Sequence, residues 1–403
     1  MDPQSHRWKM LSYATTEMSD PDQMRVRHFL ESPAPMLQSL YLCPSHFGDS
    51  RVNFAGGVAK GLRHLTLRSA NLWQCSVLLD GLETLRLVFV EAGPAEVLSI
   101  FFRSPTLRRL DFWDVVWDQS RATASALLPS LDLVANSLEE VSLATDPRLI
   151  TLILSQLSMP SCKSLELATN FAEFGDEFLG PILNDGLAQF IPRIREALRL
   201  GGVARFLVGV GPSRYREKSS LEIEGFRLSF RWSGITTESL TEWIRQLIAK
   251  LDFPLELEMN LSTPDRPTVE ALDEWNELNV TKLTILVARP EPASMENAVL
   301  VLDCLGDVLV DQDGGHSWNF PKLRELDVCS TQFDLSRLLN MLNKRYLPDA
   351  YVRDKEKLGI SIQTPPRIDL RVRNTTEARG ATIIAAIEKH WGVISLQKRT
   401  LDT

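Results

Sequence analysis

The chain has 403 residues, with 44 Lys and Arg against 52 Asp and Glu, 44% hydrophobic and 24% charged residues. That balance belongs to an ordinary folded protein and excludes disordered, collagen-like and coiled-coil chains. The net charge of -8 is spread over both halves, which argues against a nucleic-acid partner.

At the start, Met1-Asp2-Pro3-Gln4-Ser5-His6-Arg7 lacks the basic-then-apolar build of a secretory signal. No apolar run approaches the roughly 20 residues that span a bilayer. Cys43, Cys75, Cys162, Cys304 and Cys329 are far apart, with no C-x-x-C, as expected of reduced thiols. The expectation is a cytoplasmic or nuclear protein with no membrane partner.

Along the chain, an alternating stretch at Trp8, Leu11 and Tyr13 comes first. The pattern L-x-x-L-x-L then recurs at Leu37/Leu40/Leu42, Leu62/Leu65/Leu67, Leu82/Leu85/Leu87, Leu107/Leu110/Phe112 and Leu138/Val141/Leu143, and again at Leu323/Leu326/Val328. Looser copies lie at Cys162/Leu165/Leu167, Val203/Phe206/Val208, Ile223/Phe226/Leu228 and Val280/Leu283/Ile285, with weaker alternation over Leu255–Leu261 and Ile368–Val372. From Leu37 to Cys162 the copies start 25, 20, 25, 31 and 24 residues apart, close to the period of leucine-rich repeats. Longer, irregular repeats are expected around 168–202 and 286–322.

The pattern has a physical reason. Positions four and six point to one face of a strand, and positions three and five to the other. One strand buries little, so parallel stacking is what makes the core continuous. Between the strands, helices are predicted over Pro94–Phe102, Arg148–Leu157, Pro192–Leu200, Thr237–Ile248, Met295–Leu309, Asp334–Asn343 and Ala378–His390, from apolar spacing and Pro or Thr starts. The predicted fold class is α/β: a single leucine-rich-repeat solenoid (horseshoe) over 1–403, with parallel strands on the concave face and mostly helices on the convex face.

Three motifs carry a family resemblance. They are Ser5-His6-Arg7-Trp8-Lys9-Met10-Leu11, Glu31-Ser32-Pro33-Ala34-Pro35-Met36-Leu37, and Phe320-Pro321-Lys322-Leu323-Arg324-Glu325-Leu326 followed by Leu338–Tyr346. In this order the chain resembles the leucine-rich-repeat region of F-box-like proteins of mushroom-forming fungi. The resemblance implies substrate recognition for an SCF-type ubiquitin ligase, the F-box docking a cullin through an adaptor. The roughly 40–50 residues of a three-helix F-box do not fit before His6, given about 11–12 residues for one helix. The look-alike Leu128-Pro129-Ser130-Leu131-Asp132-Leu133 reads as helix and loop of the next repeat. A cullin adaptor is therefore a partner only if an F-box is supplied, and a truncated product without ligase docking is the alternative.

No complete catalytic motif is present, so the expectation is a non-enzyme without cofactor or metal. A hydrolase or nucleotide-dependent enzyme is the alternative from another class. Gly209-Val210-Gly211-Pro212-Ser213 lacks the third glycine and any Lys-Ser/Thr of a phosphate loop. Gly315-His316-Ser317-Trp318-Asn319 ends in Asn where a nucleophile elbow needs Gly, and reads as a surface loop. Asp311-Gln312-Asp313-Gly314 has its glycine too early for a calcium loop. None of the six histidines stands in H-x-x-x-H or beside a cysteine pair. The basic strip Arg193, Arg195, Arg199, Arg205, Arg214, Arg216 and Lys218 is best explained as a solvated face of an amphipathic helix and its loop, with Ile194, Ala197 and Leu198 on the apolar side.

The expected function is protein–protein recognition on the strand face, through the residues between the leucines. The candidate partner-binding residues are Tyr41, His64, Arg68, Arg86, Arg109, Asp111, Trp113, Glu140 and Glu166. Arg and Trp among them are types enriched at binding hot spots.

Overall fold

Four of the repeat copies enter their strands through a turn that is written in the sequence. A computed structural model describes residues 9–14, 34–43, 61–69, 72, 78–118, 133–170, 180–199, 204–209, 217–223, 226–233, 254–260, 279–287, 292–310, 316–330, 335–346 and 368–373. In it Leu37 N donates to Ala34 O at 3.0 Å, Leu107 N to Ser104 O at 3.0 Å, Cys162 N to Met159 O at 3.2 Å and Leu323 N to Phe320 O at 3.1 Å. Each of these turns has proline second (Pro35, Pro105, Pro160, Pro321), where its fixed φ favours the bend.

The chain divides into two compact units, residues 1–193 with 225–234, and residues 194–224 with 235–403. In the first, the strands run β1 (Met10–Ala14), β2 (Ser39–Cys43), β3 (His64–Arg68), β4 (Thr84–Val88), β5 (Glu91–Ala92), β6 (Arg109–Trp113), β7 (Val116–Trp117), β8 (Leu133–Val134), β9 (Glu140–Ala144), β10 (Leu157–Ser158) and β11 (Ser164–Asn170). Next come β12 (Ala204–Gly209) and β13 (Glu217–Ile223), which belong to the second unit, and β14 (Phe226–Ser233), which returns to the first. The main sheet of the first unit has the order β1-β2-β3-β4-β6-β9-β11-β14, and its ladders are parallel. Two short parallel ladders, β5 with β7 and β8 with β10, lie outside it.

Register is what makes the core. Leu40, Leu65, Leu85, Leu110, Val141 and Leu165 align across consecutive strands, as do Leu42, Leu67, Leu87, Phe112, Leu143 and Leu167. None of these side chains is more than 3% exposed. Just before each strand, one carbonyl accepts two N–H groups from the next repeat. Arg63 O takes Glu83 N (2.8 Å) and Thr84 N (2.9 Å), and Glu83 O takes Arg108 N (2.8 Å) and Arg109 N (3.1 Å). The same pair of bonds recurs on Lys9 O, Gln38 O, Arg108 O and Glu139 O.

The helices of the first unit each bury one apolar side. α1 (Pro94–Arg103) buries Val97, Leu98, Ile100 and Phe101, and Glu96 accepts from Gly93 N at 2.8 Å to close its first turn. α2 (Pro147–Gln156) is capped by Asp146, whose carboxylate accepts from Arg148 N at 2.9 Å. Asp before Pro is a start signal on both counts, as N-cap and as first helical residue. A single π-turn, Pro181–Gly186, packs on α2 so closely that a Cβ at Gly186 would stand 2.7 Å from Leu154 Cβ. Gln189 ties the end of α2 down: its Nε2 donates to Leu154 O (3.1 Å) and Leu157 O (3.0 Å), and its Oε1 accepts from Met159 N (3.0 Å). α3 (Ile191–Arg199) follows, buries Ile194 and Leu198 and exposes Arg195, Glu196 and Arg199, the amphipathic face expected of it.

The second unit has the strand order β13-β12-β15-β16-β19-β20, where β15 is Leu255–Asn260, β16 Val280–Val287, β19 Glu325–Ser330 and β20 Asp369–Arg373. Its ladders are parallel except for β12 with β13. α4 (Pro292–Leu305) and an antiparallel hairpin, β17 (Val308–Val310) with β18 (His316–Trp318), connect β16 to β19. α5 (Leu335–Tyr346) follows β19. Arg345, 1% exposed, donates to Leu305 O (2.9 Å), Asn319 O (2.7 Å) and Phe320 O (2.8 Å). Burial pulls its guanidinium below the ordinary arginine range, and the carbonyl end of α4 supplies the compensating negative dipole.

The fold is thus α/β with mostly parallel strands and few helices among the described residues. Four expectations are corrected. Ile223 and Phe226 do not share a strand: Ile223 ends β13 and Phe226 opens β14. The Val203 copy does not stack after the Cys162 copy, because β11 pairs with β14. His316-Ser317-Trp318 is a hairpin strand and not a surface loop, and Leu309 leaves the predicted helix for β17. The predicted helices Thr237–Ile248 and Ala378–His390, the turn at Gly211–Ser213, the acidic turn Asp311–Gly314 and most of Leu128–Leu133 lie outside the described residues.

Leu85, fully buried in β4, sets the scale of the core. Leu85→Ala is expected to cost about 2–5 kcal/mol in urea unfolding, while Arg63→Ala, at an exposed ion pair, is expected to cost less than about 1 kcal/mol.

Candidate functional site

The nine candidate residues lie on the face opposite the leucines, in the odd positions of β2 to β11. Register aligns Tyr41, Thr66, Arg86, Asp111, Ser142 and Glu166 as one row, and His64, Thr84, Arg109, Glu140 and Ser164 as a second. A third row runs Arg68, Val88, Trp113, Ala144 and Ala168. His64, Arg68, Arg86, Arg109 and Glu140 are exposed, and Tyr41, Asp111, Trp113 and Glu166 are half-buried.

The charges on this face neutralise each other. Arg86 Nε lies 3.2 Å from Asp111 Oδ2, and Arg109 Nη1 lies 3.2 Å from Glu140 Oε2. Burial raises the Asp111 carboxyl above its ordinary range, Arg86 and Arg109 pull it back, and Glu166 adds to the rise. Beside these rows, the residues that precede the strands alternate in sign, Arg63, Glu83, Arg108, Glu139 and Lys163. Arg63 reaches Glu83 at 2.7 Å and Lys163 reaches Glu139 at 2.6 Å. The Lys163 bond holds the Glu139 carboxyl below its ordinary range.

The second unit repeats the device. Arg205, Glu256, Lys282 and Glu325 are register neighbours and pair in sequence at 3.6, 3.5 and 4.0 Å, with Arg371 reaching Glu325 at 3.7 Å. Arg205, read from sequence as part of a basic strip, belongs to this row. Arg193 of the same strip donates to Cys162 O and stacks 5.6 Å from the Phe226 ring centroid. Arg214 and Arg216 lie outside the described residues.

Sequence reasoning missed the residue that follows each strand. Ser69, Phe89 and Asp114 share one place in the repeat and have φ of 50°, 53° and 50°. Arg68 stacks on Phe89, with its guanidinium carbon 5.7 Å from the ring centroid, and Arg148 stacks on Trp117 at 5.8 Å. The missing signal was positional: the eighth residue of a copy lies just past its alternating run.

Chemically, the face offers paired ions, hydroxyls and aromatic rings. Among the described residues no group of three or more His, Cys, Asp or Glu side chains is placed to hold a metal ion. Burial pushes the Cys162 thiol up to about 11, so at neutral pH it is protonated. No described helix is long and apolar enough to cross a membrane. No protein-family profile and no curated protein matches the chain.

Arg109→Glu, which sets two carboxylates side by side on β6 and β9, is expected to cost about 0.5–1 kcal/mol in urea unfolding at low salt. Adding Glu140→Lys is expected to restore most of that loss, and high salt to shrink both effects.

Proposed function

We propose that the chain is a leucine-rich-repeat solenoid whose strand face recognises a protein partner without catalysis. In line with the resemblance of its Trp8, Pro33–Leu40 and Phe320–Leu326 motifs, that partner is a ubiquitination substrate presented to an SCF-type ligase. A cullin adaptor enters when an F-box is supplied.

One observation carries the reading. Opposite the buried leucines, the parallel strands of the first unit leave two registered rows of polar and aromatic side chains, Tyr41 to Glu166 and His64 to Ser164, and the Arg68–Val88–Trp113 part of a third at least partly in contact with water. A face of this kind, with a hydrophobic core behind it, is the surface that stacked repeats use for binding. Its internal ion pairs make it close to neutral locally, so recognition rests on shape and on Tyr41, His64, Arg68 and Trp113 more than on a strong field.

The test is capture from cells with tagged full chain carrying a photo-crosslinker at position 109. A partner recovered by wild type, crosslinked from 109 and lost in Arg109→Ala/Trp113→Ala at unchanged melting temperature supports the reading. The same partner crosslinking instead from position 102, on the exposed helix residue Phe102, overturns it.

A further inference from the structure

We propose that the C-terminal rim of β3, β4 and β6 docks an acidic segment of a partner protein, one carboxylate seated on Arg68 and an adjacent apolar side chain on Phe89, Val88 and Trp113. This rests on the reading that the strand face binds a protein, and adds the rim and the chemistry of its occupant.

Phe89 is the starting point. Its φ of 53° places a bulky side chain in the left-handed region, which Gly, Asn and Asp tolerate and Phe does not. Phe89 is also 47% exposed. The backbone explains the conformation. Ser69 N donates to Val88 O (2.9 Å), Phe89 N to Trp113 O (2.9 Å) and Asp114 N to Ala144 O (2.6 Å), so each turn extends the ladder by one more bond. At the equivalent place Asp114 suits that geometry, and any small polar residue would serve the backbone equally. The aromatic ring at Phe89 therefore answers to something other than the fold, and strain retained with an exposed ring is a mark of a binding position.

The ring has a companion. Arg68 lies over it at 5.7 Å, and stacking holds a guanidinium flat while leaving its in-plane N–H groups free for a bidentate carboxylate. Among the described residues no carboxylate pairs with Arg68, whereas Arg86 is taken by Asp111 and Arg109 by Glu140. Of the arginines in β3, β4 and β6, Arg68 is the one with no carboxylate partner among the described residues, and it sits at this rim.

Apolar surface adjoins it. Val88, the register partner of Arg68, and Trp113, the register partner of Val88, are both half-buried, and Val116, 56% exposed, follows Trp113 in β7. A cation beside an apolar strip is complementary to a carboxylate beside an aliphatic side chain.

The test uses full chain and fluorescence anisotropy with short labelled peptides of alternating Asp and Leu, alternating Lys and Leu, and alternating Asp and Ser. The Asp-Leu peptide is expected to bind, and the other two to bind far more weakly. Phe89→Asn and Arg68→Glu are each expected to weaken the Asp-Leu peptide at least about tenfold. Phe89→Asn also relieves the left-handed strain, so its melting temperature is expected to hold or rise, which separates lost binding from lost fold. Unchanged affinity in both variants, no binding of the Asp-Leu peptide, or equal binding of the Lys-Leu peptide overturns the proposal. Those results leave the wider reading to the crosslinking from position 109, which depends on neither Phe89 nor an acidic partner.

Discussion

In-register parallel pairing is the constraint on which the rest of the structure depends. When each repeat lays its strand beside the last with no offset, side chains at the same repeat position stand about 4.8 Å apart. Leucine against leucine gives the stacked core behind β2 to β11. Charge against charge would repel on the other face, so like positions have to differ in sign from one repeat to the next. Arg63, Glu83, Arg108, Glu139 and Lys163 do so in the first unit, and Arg205, Glu256, Lys282 and Glu325 in the second. The irregularity that makes the repeats hard to align is, at these positions, what permits them to stack.

The same constraint shapes the strand face opposite the leucines. Arg86, Arg109, Asp111 and Glu140 look like a charged cluster when read strand by strand, but across the sheet they neutralise each other. What the rows do not satisfy internally, and what the proposed partner would meet, is the half-buried rings of Tyr41 and Trp113, exposed His64, and the Arg68–Phe89 stack at the rim. A face of this kind favours specificity over strong long-range attraction.

Much of the fold was legible because its signals are local. The leucine triplets mark buried strand positions and Pro94 marks a helix start, while the Asp146-Pro147 helix start and the Pro35, Pro105 and Pro321 turns stand in the sequence as equally local signals that went unread. The topology from Cys162 onward was not legible for a physical reason: a period of two reports which side chains face the core and says nothing of strand direction or neighbour. Val203–Val208 and Ile223–Leu228 alternate as well as any other copy, yet β12 runs antiparallel to β13, and β14 is the strand that pairs with β11. At the site, the candidate residues were readable from strand parity, but their mutual pairing depends on register between repeats 20 to 31 residues apart. Phe89 was hidden because its φ has no signature in the residue type. Arg345, in a helix with a polar face, gave no sign that its guanidinium would end fully buried against three carbonyls.

The central claim, that register makes neighbouring repeats compensate each other's charge, is tested most directly by the titration of Asp111. Because its folded pKa lies above the usual carboxylate value, ionised Asp111 subtracts stability at neutral pH and subtracts less as pH falls through that pKa. The measurement is the side-chain carboxyl titration of Asp111 by NMR in wild type and in Arg86→Ala. The account predicts a wild-type midpoint above the ordinary range and a further upward move when Arg86 is removed. An Asp111 midpoint that Arg86→Ala leaves in place would contradict it.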